Sequence, residues 1–170
     1  MVFGDRNDFA IEAVSDPLPG HSCGTVWGNM RIWCCRTPLG NFEERNSGLS
    51  GAQRSLSEVA EDLDSLESPD LSRLDDEAAW RFLNRLLFVD DSRSDEEVRR
   101  DAAEWSRFIF LTNWGEPFDG YNGFVFRSGV DRLRIVVREP DDHLVGFDVS
   151  TAGFGAAVQA FSRWCDEIAG

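Results

Sequence analysis

The chain has 170 residues, 42% of them hydrophobic and 12% aromatic, with 31 acids against 17 bases and a formal charge of −14. That length suits one domain hiding roughly two-thirds of its unfolded surface, and the apolar content excludes a disordered chain. The acidity argues against a binder of phosphate backbones; since every base is Arg, chemistry needing a Schiff-base or P-loop lysine is excluded outright.

Residues 1–8 carry charge and no apolar run, so they do not read as a secretory leader, and no window approaches the ~18 apolar residues of a membrane span. Cys23, Cys34, Cys35 and Cys165 are then expected as reduced thiols in a cytoplasmic protein.

Residues 1–45 read as β-structure. A short strand at 9–14 ends in a Pro/Gly segment, and 25–35 forms a longer strand. There Met30 and Ile32 alternate with Trp27 and Trp33, which predicts cover on both faces. Residues 37–40 read as a turn and 41–43 as the start of a returning strand. Residues 46–54 read as a flexible connection. An acidic helical segment follows over 52–106. Ser55 and Glu58 suggest a capping box for a first helix that Pro69 ends. A second helix is predicted over 76–88, and a third from Ser94, where Glu97 completes another box.

Residues 107–150 return to strands at 108–111, 123–127, 133–138 and 144–149, with hairpin turns at Ser128-Gly129 and Asp141-Asp142. A closing helix over 151–170 gathers Phe154, Val158, Phe161, Trp164, Cys165 and Ile168 on one face. The reading is a single α+β domain: a mainly antiparallel, meandering sheet with three to four helices packed on one side.

No catalytic or metal constellation emerges, and no cofactor is implied. Asp141, Asp142 and His143 diverge around a hairpin tip, and the cysteines lack zinc spacing. Gly153-Phe154-Gly155 has too little chain after it for a dinucleotide fold. A thiol enzyme using Cys23 or Cys34 with His21 or His143 has nothing in the spacing to favour it.

The charge is local. Residues 57–104 hold sixteen acids and six Arg, a net of −10, against −4 for the rest. Solvated helix faces and first-turn acids explain part of this. The other reading is a docking surface for a basic partner, with Glu61, Asp62, Asp64, Glu67, Asp90 and Asp91 as its acids. Trp114, in a loop, is either an anchor for that partner or a satellite of the core.

Phe3-Gly4-Asp5, Phe9-Ala10-Ile11, the run from Trp27-Gly28 to Trp33, and Leu39-Gly40-Asn41-Phe42-Glu43 follow a recognisable order. Phe118-Asp119-Gly120-Tyr121, Phe147-Asp148-Val149 and Gly153-Phe154 continue it. This order resembles the bacterial immunity protein 42 family. The resemblance implies a non-enzymatic, cytoplasmic antidote of a polymorphic toxin system. Its partner would be a cognate toxin domain, expected to be basic; no direct nucleic acid or membrane partner is implied, and the oligomeric state stays open with a monomer favoured. The alternative is an acidic adaptor or nucleic-acid mimic without a toxin partner.

Overall fold

In a computed structural model, residues 1–16, 25–44, 47–89, 92–111 and 114–169 are described. The α+β class holds, and the strands divide between two antiparallel sheets rather than forming one. The first sheet contains β1 (Val2–Gly4), β2 (Phe9–Ser15), β3 (Trp27–Cys34), β4 (Thr37–Leu39) and β5 (Ser47–Gly48), with β4 and β5 both paired to β3. The second runs β6 (Ile109–Phe110), β7 (Asn122–Gly129), β8 (Arg132–Arg138), β9 (Leu144–Ser150) in order. Between them the chain forms α1 (Leu49–Glu61), α2 (Pro69–Ser72), α3 (Asp76–Phe88) and α4 (Asp95–Trp105), and it closes with α5 (Thr151–Ala169).

The helix α5 joins the two sheets. Its stripe of Phe154, Ala157, Val158, Phe161 and Cys165 is buried, as 3.6-residue periodicity requires. Phe154 lies 4.6 Å from Phe9 of β2 and 6.4 Å from Phe110 of β6, ring centre to ring centre. Phe3 packs on Phe161 and Trp164 of the same helix at 5.7 and 5.3 Å. Gly4, at φ +98°, lets β1 approach α5, since a Cβ there would stand 2.8 Å from that of Ala157. Asp8 fixes the start of α5: it accepts from the Ser150 amide at 2.7 Å and from its hydroxyl, which in turn accepts from the Gly153 amide at 2.9 Å.

Several local expectations need correcting. The first helix begins at Leu49, not Ser55, because Leu49, Ala52 and Leu56 already form a buried stripe through the supposed connection. Ser55 therefore lies inside the helix and caps nothing. Pro69 does not end a helix; it starts α2 behind the Ser68 cap. The interval from Asp76 to Phe88 and the Ser94–Glu97 capping box are found as expected.

The β3 strand is covered on one face only. Met30, Ile32 and Cys34 are fully buried, whereas Trp27 is 37% exposed and Trp33 half-buried. Trp33 is covered by guanidinium groups instead, with Arg6 and Arg31 at 4.5 and 4.7 Å from its ring. Glu12, across the strand pair, accepts from Arg6 at 3.0 Å, Arg31 at 2.9 Å and the Trp33 indole at 2.8 Å. Burial alone would raise its pKa, but the hydrogen bonds from Arg31 and Trp33 and the charges of Arg31 and Arg6 outweigh that and hold it below the ordinary glutamate value.

Residues 37–39 pair with β3 as a strand, and the turn falls one step earlier, at Cys35-Arg36. Both have positive φ, 48° and 72°, the signature of a mirror-image two-residue hairpin. Neither is a residue that adopts this region at low cost. Replacing the pair by Asn-Gly (C35N/R36G) is expected to stabilise the fold by about 1–2 kcal/mol. Urea unfolding measures this, and an unchanged midpoint would show that the turn carries no strain.

Candidate functional site

Most acids at the start of α3 are used internally. Asp75 caps the helix by accepting from the Ala78 amide at 2.8 Å. Asp76 pairs with Arg134 at 2.6 Å, and Glu77 with Arg81 at 2.5 Å and Arg138 at 3.2 Å, which ties α3 to β8. Arg93 bridges Asp101 of α4 at 2.8 Å and donates to the carbonyls of Arg85, Leu86 and Val89 at the end of α3. These acids hold the helices in place and leave little field for a partner.

The acids between α1 and α2 differ. Glu61, Asp62, Asp64 and Glu67 are all exposed, on the end of α1 and the 3-10 turn Leu63–Leu66 behind it. Asp62 caps that turn by accepting from the Ser65 amide at 3.3 Å. Asp64 pairs with Arg127 of β7 at 2.7 Å, although its own side chain is 93% exposed. Among the described residues, Glu58, Glu61, Glu67 and Asp70 have no ion pair or side-chain hydrogen bond. Asp90 and Asp91 lie outside the described residues.

Trp114 is 4% exposed, with its ring against Phe110 at 5.1 Å and Phe118 at 5.5 Å, edge to face. It belongs to the core and does not project as an anchor. It nevertheless lines a cleft of about 400 Å³ with Ser55, Glu58 and Val59 of α1, its C-cap Asp62, and Leu66, Arg107 and Ile109. The fold thus brings Asp62 and Trp114 to one place, which the sequence did not reveal. It also brings Glu58, for which the sequence predicts a capping box instead. The four-residue spacing of Glu58 and Asp62 at a helix end without a base was the signal available.

Thiol chemistry finds no activated group among the described cysteines. Burial raises the Cys34 pKa well above its ordinary value, and burial with the Asp166 charge pushes Cys165 up to about 12. The exposed Cys35 is also raised, first by partial burial and then by Asp8 and Asp148, against a smaller opposing effect of Arg132. His143 sits at the hairpin tip, 3.2 Å from Glu139. Among the described residues no group of three His, Cys, Asp or Glu could hold a metal, and no helix is long and apolar enough to cross a membrane.

Two antiparallel sheets bridged by a C-terminal helix, with a charged helical insertion, define an α+β class already known in a crystal structure. CdiI from Burkholderia dolosa matches with a TM-score of 0.68 at 15% identity, over 94% of this chain and 97% of that one. At that identity the likeness establishes the fold. The sequence establishes the family: the model of immunity protein 42 matches residues 1–164, and the chain belongs to that family. Among curated protein sequences, none matches the chain.

Proposed function

We propose that this protein is the cytoplasmic antidote to a cognate toxin of a polymorphic toxin system, and that it binds a basic toxin domain through the acids between α1 and α2. Membership of an immunity-protein family supports the class of function. The observation that carries the surface is the unpaired acids: Glu58, Glu61, Glu67 and Asp70 have no partner among the described residues, beside a cleft bordered by Asp62 and floored by Trp114. Asp64 joins this surface because its carboxylate stays 93% exposed while it pairs with Arg127. Asp90 and Asp91 belong to the same proposal on sequence alone. The family contributes no catalytic group, and binding without turnover is the reading that follows.

The test is co-expression with the toxin encoded beside this gene, scored by survival and by a complex on gel filtration. Neutralising Glu61, Asp62, Asp64 and Glu67 to their amides is expected to slow association about tenfold at low salt, with the difference shrinking as salt rises. Neutralising Glu43, Asp119, Asp131 and Glu167, exposed elsewhere, changes net charge equally and is expected to leave the rate nearly unchanged. Equal effects from the two sets would reduce the charge to a solubility property.

A further inference from the structure

The cleft beside α1 has walls of two kinds. Val59, Leu66, Ile109 and Trp114 are apolar or aromatic, and Trp114 is held edge to face between Phe110 and Phe118. The α1 wall carries Ser55, Glu58 and Val59, which share one face of the helix, and its C-cap Asp62. Arg107 is the single cation among the described residues that line it, and that guanidinium is engaged: it donates to the Ser65 carbonyl at 2.8 Å and to the Glu104 carbonyl, while lying over the Phe108 ring.

The electrostatics of this wall run against the helix that supports it. The last turn of α1 has no base, and it ends in Glu61 with Asp62 as its C-cap. Acids at a helix C-terminus meet the negative end of the helix dipole. Glu58 in the last turn and Asp62 at the C-cap bring two like charges to the same cleft. No guanidinium among the described residues pairs with Glu58, Glu61 or Asp62. A last turn without a base that ends in acids, at the lip of an apolar cleft, leaves a place that a cation from outside completes.

We infer that this cleft receives one long basic side chain, arginine or lysine, from the toxin, so the inference rests on the proposed function. The alkyl stem lies along Val59, Leu66 and Ile109, the charged head meets Glu58 and Asp62, and Trp114 supplies the floor. Long cationic side chains bury their stems and keep their heads polar, and an aromatic wall adds attraction for the charge. Charge complementarity selects this occupant, because an acidic or purely apolar side chain would leave two carboxylates facing it unpaired.

The probe is N-acetyl-argininamide, with uncharged N-acetyl-norleucinamide as control, followed by NMR on the full chain. Argininamide is expected to shift the Trp114 indole and Val59 methyl signals in a saturable way, and norleucinamide to leave them in place. In E58Q/D62N, where Asn still caps the turn, the argininamide shifts are expected to vanish while the melting temperature stays level or rises. Shifts that persist in E58Q/D62N, or that arise elsewhere, overturn the inference. With a toxin that wild type binds, E58Q/D62N is expected to raise Kd roughly tenfold to hundredfold. Equal Kd values overturn the cleft and leave the antidote reading standing. If wild type neither binds nor protects, the antidote reading fails, and the argininamide arm alone decides the cleft.

Discussion

Phe154→Ala is expected to cost about 4 kcal/mol, the upper range for deleting a fully buried ring. The reason lies in its position. Phe154 is completely buried and touches an aromatic from each sheet, Phe9 of β2 and Phe110 of β6. Removing the ring opens a cavity at a helix that packs on both sheets, where backbone relaxation on one side is opposed by the other. For a chain of this size the loss corresponds to a fall in Tm of roughly 8–16 °C. Ile168→Ala, at a position of the same helix that is 43% exposed, is expected to cost about 0.5 kcal/mol or less. Calorimetry on both variants measures the contrast. Similar losses would mean that α5 is held along its length and not at Phe154.

What could be read in advance follows the range of the interaction that decides each feature. The span of α3 depends on a cap at Asp75 and an apolar stripe, both within a few residues, and it was legible to the residue. The Ser94–Glu97 box was legible for the same reason. The Ser55–Glu58 pair has the same spelling but falls inside α1, because burial of Leu49 and Ala52 by distant strands extends the helix backwards. The turn at Cys35-Arg36 escaped because neither residue type announces positive φ. Asp8 supports it from the next hairpin, its carbonyl accepting from the Cys35 amide at 2.8 Å.

The candidate site divides along the same line. The clustering of Glu61, Asp62, Asp64 and Glu67 is contiguous in sequence and survives as one exposed stretch. Which acids are already used could not be read, since Arg127, Arg134 and Arg138 reach Asp64, Asp76 and Glu77 across some sixty residues of chain. The meeting of Asp62 with Trp114 is a tertiary event of the same kind. Sequence thus showed that charge was concentrated, and only the fold shows where it is unpaired.

Gly28→Ala and Gly51→Ala are expected to move stability in opposite directions, although each adds the same methyl group. Gly28 sits where β3 is flanked on both sides, paired with Ser15 of β2 and Ser47 of β5. A Cβ there would stand 2.9 Å from the carbonyl carbon of Val14 and 3.0 Å from Cα of Ser15, with the Val14 oxygen nearer still. These are backbone atoms of a hydrogen-bonded strand, so no rotamer change relieves the overlap, and β2 must separate from β3. The expected loss is about 3 kcal/mol, at the upper end of overpacking costs. Gly51 lies inside α1, and beyond the backbone of its own helix and its chain neighbours no described atom stands within 4 Å of an added Cβ. There alanine restricts the unfolded chain and clashes with nothing, for an expected gain of about 0.5–1 kcal/mol. Urea midpoints at constant m-value decide the pair. A Gly28→Ala variant as stable as wild type would show that β2 does not cross over this residue, and the glycine of the Trp27-Gly28 motif would then need another explanation than close approach of strands.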